Sequence, residues 1–145
     1  LIAFILLTIH VLLDGLDGPL ARFQKKESAG ASFMDSCCDE FVIAITTFAF
    51  VKMGILDATL AGIYVFFYTI VVAFSMIRNS IQIPYPFLIR PRFFVYIAAL
   101  IEIFFYPQVF NIVVAGFTLI LLYHMLTGFF SLRSYLKGKK EKTDL

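Results

Sequence analysis

The chain has 145 residues, of which 61% are hydrophobic and 15% are charged, and its net charge is +2. A soluble domain averages about 45–50% apolar and about 25% charged residues, so this chain has too few charges to cover a globule in water. Its many Phe, Ile and Leu residues exclude an intrinsically disordered chain. Because a membrane-spanning helix needs about 20 apolar residues, we predict an all-α, polytopic transmembrane helix bundle without a soluble module.

Apolar segments bounded by charges or helix breakers predict five spans. Gly54 and Asp57 are typical of a helix end followed by a new N-cap, which indicates a tight hairpin after the second span. Pro107 and Asn111 indicate a similar connection before the last span. Residue 1 already lies inside an apolar run, so we expect one domain over residues 1–145 that is incomplete at its N-terminus. The expected spans are 1–22, 32–53, 57–77, 92–106 and 108–132.

Most Lys and Arg residues fall at one end of these spans. The positive-inside rule assigns that end to the cytoplasm. The chain is therefore expected to be a multi-pass membrane protein, in the cell membrane if it is prokaryotic, with residues 133–145 as a basic cytoplasmic tail. The basic clusters are Arg22 with Lys25 and Lys26; Arg78 with Arg90 and Arg92; and the tail.

Aspartates lie near the cytoplasmic ends of the first two spans, although an Asp at the centre of a span costs ~2.5–3.5 kcal/mol. Helical spacing puts the first two on one face beside two small residues, and the other two one turn apart. Mg²⁺ prefers oxygen ligands and leaves positions for substrate phosphates, and two ions can clamp a phosphoryl group. The pattern indicates metal-assisted phosphoryl transfer at the cytoplasmic edge. The residues are Asp14, Asp17, Gly18, Ala21, Asp35 and Asp39.

Each of these residues also has a simpler interpretation. Asp35 with Ser32 fits a helix-capping pair. Asp14 and Asp17 fit a cation-conducting or proton-relay pair, and the small residues beside them fit helix packing. The combination of spacing, side and proximity favours the metal site over these alternatives.

The segment from Asp14 to Asp39 resembles the signature of the CDP-alcohol phosphatidyltransferases. That signature reads D-x-x-D-G-x-x-A-R and, about eight residues later, G-x-x-x-D-x-x-x-D. One position departs from it, because Ala31 stands where the family has glycine, with Gly30 beside it. The family has six membrane helices, so the resemblance implies that one precedes residue 1.

The resemblance implies a role for each matching residue. Asp39 would be the general base and would complete a site for two Mg²⁺ or Mn²⁺ ions. The implied reaction, in phospholipid synthesis, transfers a phosphatidyl group from a CDP-linked donor, commonly CDP-diacylglycerol, to an alcohol and releases CMP. A homodimer within membrane lipid is implied, and no nucleic-acid partner is expected. The implied metal ligands are Asp14, Asp17, Asp35 and Asp39, and the implied nucleotide and diphosphate contacts are Gly18, Ala21, Arg22, Gly30 and Ala31.

Three arginines on the same side are candidates for binding a phosphate on the acceptor: Arg78, Arg90 and Arg92. Arg binds phosphate bidentately, and family branches with phosphorylated acceptors have basic residues in comparable places. The alternative is that these arginines only set the topology and contact lipid headgroups.

Other functions remain open at this point. A water-soluble CDP-alcohol could be the donor, with a lipid or another polar alcohol as the acceptor. The acidic cluster could instead belong to a cation transporter or channel, although Arg22 would repel a permeating cation and suits a diphosphate. An inactive scaffold is a further alternative, and Ala31 is its single indication.

Overall fold

The computed structural model describes residues 2–24, 28–87, 91–105 and 108–143. These residues form helices without any strand, which confirms the all-α prediction. Helix α5 packs against α3 and α4, α2 packs against α3, and α1 packs against α4. The helices are α1 (Ile2–Phe23), α2 (Ala29–Lys52), α3 (Ala58–Ser80), α4 (Arg92–Phe104) and α5 (Val109–Thr143).

Three helix boundaries differ from the predicted ones by three residues or more, and one of them is the end of α3, at Ser80 rather than at residue 77. Helix α2 begins at Ala29 rather than at residue 32, because Ser28 is its N-cap and its Oγ accepts a hydrogen bond from the Ala31 amide at 3.1 Å. Helix α5 continues to Thr143 rather than ending at residue 132. The basic segment is rich in Lys, a good helix former, so the described part of the tail extends the last helix.

The predicted hairpin between α2 and α3 is confirmed. Gly54 has a φ of +73°, a left-handed conformation that glycine adopts without strain. Asp57 then caps α3, because its Oδ1 accepts a hydrogen bond from the Leu60 amide at 2.8 Å. Pro107 of the second predicted connection lies outside the described residues, and Asn111 lies in the first turn of α5.

The buried core lies where α2, α3, α4 and α5 meet. Phe110 of α5 and Phe50 of α2 pack edge to face, with ring centroids 5.0 Å apart. Large apolar side chains also cover the outside of the bundle, among them Leu16 on α1, Phe66 on α3 and Ile112 on α5. An apolar exterior of this extent is typical of a surface that contacts lipid.

Within the described residues, the helices long and apolar enough to cross a membrane are Ala58–Ser80 and Val109–Gly138. Helix α2 is interrupted by charged residues, including Asp35, Glu40 and Lys52. Helix α4 has 13 residues, about 20 Å of helix, whereas the hydrocarbon core of a bilayer is ~30 Å thick. The five-span arrangement therefore stays a prediction.

Candidate active site

Asp39, the predicted general base, lies on α2 and forms an ion pair with Arg92. The Arg92 guanidinium contacts Asp39 Oδ1, and the two side chains are only 7% and 15% exposed. Arg92 is the first residue of α4 and follows the buried Pro91. A nearly buried carboxylate needs a partner for its charge, and the start of α4 supplies one. The structure thus brings together the predicted base and one of the three predicted acceptor-side arginines.

His10 connects α1 to the same carboxylate. Its Nε2 lies 3.7 Å from Asp39 Oδ1. Asp14 lies one turn beyond His10 on α1, and Asp35 lies one turn before Asp39 on α2. The side chains of Asp14, Asp17, Gly18, Ala21 and Arg22 lie outside the described residues.

The remaining predicted residues of α2 lie near its beginning. Gly30 and Ala31 are exposed in the first turn, and a Cβ added at Gly30 would meet no atom within 4 Å. Asp35 is exposed in the second turn. Because Ser28 rather than Ser32 caps the helix, the interpretation of Ser32 and Asp35 as a capping pair is wrong.

The described side chains alone do not complete a metal site. Among them, no three His, Cys, Asp or Glu residues lie close enough to hold an ion. Asp35 and Asp39 are nevertheless hard oxygen donors one turn apart on α2, the type that Mg²⁺ and Mn²⁺ prefer. The donor chemistry of this face therefore fits a divalent cation, and α1 carries the other two predicted ligands.

Arg78 lies away from Asp39 and binds the segment that follows α3. Its Nε donates to the Ile83 carbonyl at 2.9 Å, and its Nη2 donates to the Pro84 carbonyl at 3.2 Å. The guanidinium also lies 4.1 Å from the centroid of the Tyr85 ring. Arg78 thus anchors residues 81–87. Arg90, the third predicted arginine, lies outside the described residues.

Tyr85 continues this anchor to α5. Its hydroxyl donates to the His124 carbonyl at 3.0 Å. Burial raises the pKa of the Tyr85 phenol, and the positive charge of Arg78 acts in the opposite direction. Gly128 permits the approach, because a Cβ there would lie 2.0 Å from the Tyr85 hydroxyl. The tyrosine and the glycine were not predicted as a pair, since no local pattern links residues on a loop and a distant helix.

A cavity of about 430 Å³ opens beside Asp39 between α2, α3 and the start of α4. The spacing of Ser32, Ser36 and Asp39 on α2, and of Ser75 and Asn79 on α3, puts each set on one helix face. That periodicity was a usable signal that sequence reasoning missed. The outer end of the cavity, beside Ser32 and Asn79, has polar side chains together with the apolar Phe33 and Met76, and the inner end is mainly apolar: Ser32, Ser36, Ser75, Asn79 and Ser80, against Tyr68, Val71, Val72 and Leu121.

Comparison with known proteins assigns this arrangement to a family. The family model described as CDP-alcohol phosphatidyltransferase matches residues 1–128. No curated protein and no solved structure matches the chain. The matched range includes both aspartate-bearing helices, Arg92 and the cavity beside Asp39. The chain therefore belongs to the CDP-alcohol phosphatidyltransferase family, whose members are enzymes that transfer a phosphatidyl group from a CDP-alcohol.

Proposed function

We propose that this protein transfers a phosphatidyl group from a CDP-linked lipid, CDP-diacylglycerol, to an alcohol acceptor and releases CMP. The observation that carries the proposal is the position of Asp39. Its carboxylate lines a cavity large enough for a small alcohol, and Arg92 fixes its orientation. A base that is oriented by a second group and borders a substrate-sized cavity is the arrangement that hydroxyl activation requires.

The proposed reaction is a single displacement at phosphorus. Asp39 accepts the proton of the acceptor hydroxyl, and the hydroxyl oxygen forms a bond to the β-phosphorus of the donor. The bond between that phosphorus and the bridging oxygen breaks, and CMP leaves with the electron pair. General-base catalysis by a positioned carboxylate contributes about 10²- to 10⁴-fold to such a rate.

We also propose that two Mg²⁺ or Mn²⁺ ions are held by Asp14, Asp17 and Asp35, with Asp39 completing the set. Bound ions would offset the negative charge of the diphosphate. The contact between His10 and Asp39 supports the grouping, because it brings α1 to the carboxylate face of α2. The nucleotide would lie against the small residues near the ends of these helices, with Arg22 beside the diphosphate: Gly18, Ala21, Gly30 and Ala31.

In the membrane, we propose that all five helices are embedded with the Asp39 end at the cytoplasmic face. Exposed apolar side chains on α1 and α4, such as Leu12 and Phe94, support contact of these two helices with lipid. The homodimer stays a prediction. The phosphate-binding role also stays a prediction for Arg78, Arg90 and Arg92, and among the described residues Arg92 is the one that contacts Asp39.

The test of the proposal is a CMP-release assay. Full-length protein in liposomes receives CDP-diacylglycerol labelled in the lipid and a panel of alcohols. We expect CMP and a new phospholipid from at least one alcohol, and a loss of 10²-fold or more with Asp39→Asn. Asp57→Asn is the matched control, because Asp57 caps α3 at the opposite end of the bundle.

Two results would contradict the proposal: no CMP release across the panel, or full activity of Asp39→Asn. Flux of divalent cations through the liposomes without nucleotide would favour the transporter instead. If a water-soluble CDP-alcohol reacts and CDP-diacylglycerol does not, the donor is the water-soluble CDP-alcohol, and the protein transfers a polar head group instead of a phosphatidyl group.

The metal requirement is tested separately by chelation. EDTA should abolish CMP release, and Mg²⁺ or Mn²⁺ should restore it. Asp35→Asn should raise the ion concentration needed for half-maximal activity, because it removes one oxygen ligand. Activity that persists in EDTA would contradict the metal assignment and leave the role of Asp39 in place.

A further inference from the structure

We infer that the cavity beside Asp39 is the acceptor site and that it selects a small polyhydroxylated alcohol. Ser36, Ser75 and Asn79 are assigned as the specificity-determining residues. The inference rests on the proposed function, because it assigns the acceptor to that reaction. It concerns the acceptor alone and does not depend on the identity of the metal ion.

Most polar side chains at the outer end of the cavity have unused hydrogen-bonding capacity. Ser80 is satisfied, since its Oγ donates to the Ile77 carbonyl at 2.7 Å. Within the described ranges, Ser36, Ser75 and Asn79 have no hydrogen-bond partner for their side chains, and all three line the cavity. Serine hydroxyls donate and accept, and an amide does both through separate atoms. Such a lining matches a ligand that carries several hydroxyl groups.

The cavity also has a polarity gradient with Asp39 between its two parts. On α2, Ser32 lies two turns before Asp39. On α3, Asn79 lies about two turns after Val71. Hydroxyl and amide groups at the outer end would bind the body of a polyol. Among the described lining residues of the inner end, Tyr68 alone has a side chain that can hydrogen-bond. One hydroxyl of a polyol bound in the outer part would then face the Asp39 carboxylate.

The charge of the cavity argues against a cationic acceptor. Of the described residues that line it, Asp39 is the charged one, and Arg92 already pairs with that carboxylate. An ammonium group beside Asp39 would meet the Arg92 guanidinium, and the described lining residues offer it no second anion. Amino alcohols such as ethanolamine and choline are therefore disfavoured relative to polyols.

A bare polyol and its monophosphate share the chemistry that this lining recognises. A phosphate would be bound by Arg92, which begins α4 and contacts the Asp39 carboxylate. The acceptor panel distinguishes these two acceptors, because it contains each polyol with and without its phosphate.

The experiment measures CMP release by full-length protein in liposomes with glycerol, inositol, their monophosphates, ethanolamine and choline. We expect kcat/KM for at least one polyol or polyol monophosphate to exceed that of both amino alcohols by about tenfold or more. In Ser75→Ala/Asn79→Leu, the KM for that polyol should rise by about tenfold, with a smaller change in kcat, because two hydrogen bonds to the acceptor are lost. Thr59→Val, at the other end of α3, is the matched control.

Each outcome has one meaning. Turnover of a bare polyol, or of its monophosphate alone, supports the inference and shows which of the two is the acceptor. Turnover restricted to amino alcohols overturns the inference and leaves the proposed function in place. No CMP release from any acceptor overturns the proposed function itself. An unchanged KM in Ser75→Ala/Asn79→Leu, with circular dichroism showing a folded protein, overturns the assignment of this cavity as the acceptor site. If that variant does not fold, the KM of Ser36→Ala is measured instead, and an unchanged value has the same meaning.

Discussion

The two ends of the helix bundle differ in the interactions of their acidic side chains. At the hairpin end, where α2 meets α3 and α4 meets α5, polar side chains bond to backbone groups. Asn111 Oδ1 accepts from the Asp57 amide at 2.9 Å, and its Nδ2 donates to the Ile55 carbonyl at 3.1 Å. Glu102 accepts from the Gln108 amide at 2.7 Å and from the Phe110 amide at 3.0 Å. At the Asp39 end, a carboxylate pairs with an arginine beside a cavity lined with hydroxyls.

This difference separates structural acids from catalytic candidates. Asp57 and Glu102 cap helices, so the fold alone explains their presence in an apolar chain. Among the described residues, Asp39 instead contacts the side chains of Arg92 and His10, and its burial needs Arg92 to compensate its charge. An acidic residue in an apolar helix bundle is therefore a functional candidate only where helix capping does not explain it.

The largest expected effect comes from Arg92→Leu, which leaves Asp39 nearly buried without its cation. We expect the free energy of unfolding in detergent to fall by about 3 kcal/mol, because removing one member of a buried ion pair leaves the other charge uncompensated. CMP release should also be lost. The measurement is chemical denaturation followed by circular dichroism, with the exposed Arg133→Leu on α5 as control. In Asp39→Asn/Arg92→Leu, the loss of stability should be smaller than the sum of the single losses, and an additive loss would contradict the pairing.

The next effect concerns Gly128, at the Asp39 end but outside the proposed catalytic machinery. In Gly128→Ala, the new Cβ would lie 2.0 Å from the Tyr85 hydroxyl and 2.8 Å from Phe74 Cδ2. We expect the free energy of unfolding to fall by about 2 kcal/mol, because Tyr85 must move and lose its bond to the His124 carbonyl.

The matched control lies on the same helix. A Cβ added at Gly116 meets no atom within 4 Å, so Gly116→Ala should raise the free energy of unfolding by about 0.5–1 kcal/mol through helix propensity. Thermal denaturation of both variants gives the comparison. If the two substitutions have equal effects, the packing of Tyr85 on Gly128 does not stabilise residues 81–87.

Glu102→Ala tests the hairpin end and should have a smaller effect. Its carboxylate accepts two backbone hydrogen bonds at the start of α5, and their loss should lower the free energy of unfolding by about 1.5 kcal/mol. CMP release per folded molecule should not change. Glu102→Gln retains an acceptor oxygen and should recover part of the stability. A large loss of activity in folded Glu102→Ala would break the distinction between the two ends.

Periodicity and capping chemistry made much of the fold predictable. The hairpin at Gly54 and Asp57 follows from local chemistry, so sequence reasoning located it correctly. The start of α2 was placed three residues late, because Ser28 and Ser32 are both competent N-caps and only the coordinates show which one bonds to an amide. Sequence reasoning likewise could not show that Arg92 rather than Arg78 contacts Asp39. That choice depends on where the first residue of α4 lies relative to α2, which no local pattern records.

The smallest expected effect is that of Asp57→Ala. The side chain of Asp57 satisfies the Leu60 amide at 2.8 Å, and a cap of this kind contributes about 1 kcal/mol. The backbone amide of Asp57 still donates to Asn111, so the connection between α3 and α5 survives the substitution. We expect a lower midpoint of thermal denaturation and an unchanged KM for donor and acceptor. Asp57→Ser should restore most of the lost stability, since serine also caps helices. A changed KM would mean that a substitution at the start of α3 alters substrate binding in the cavity at its other end.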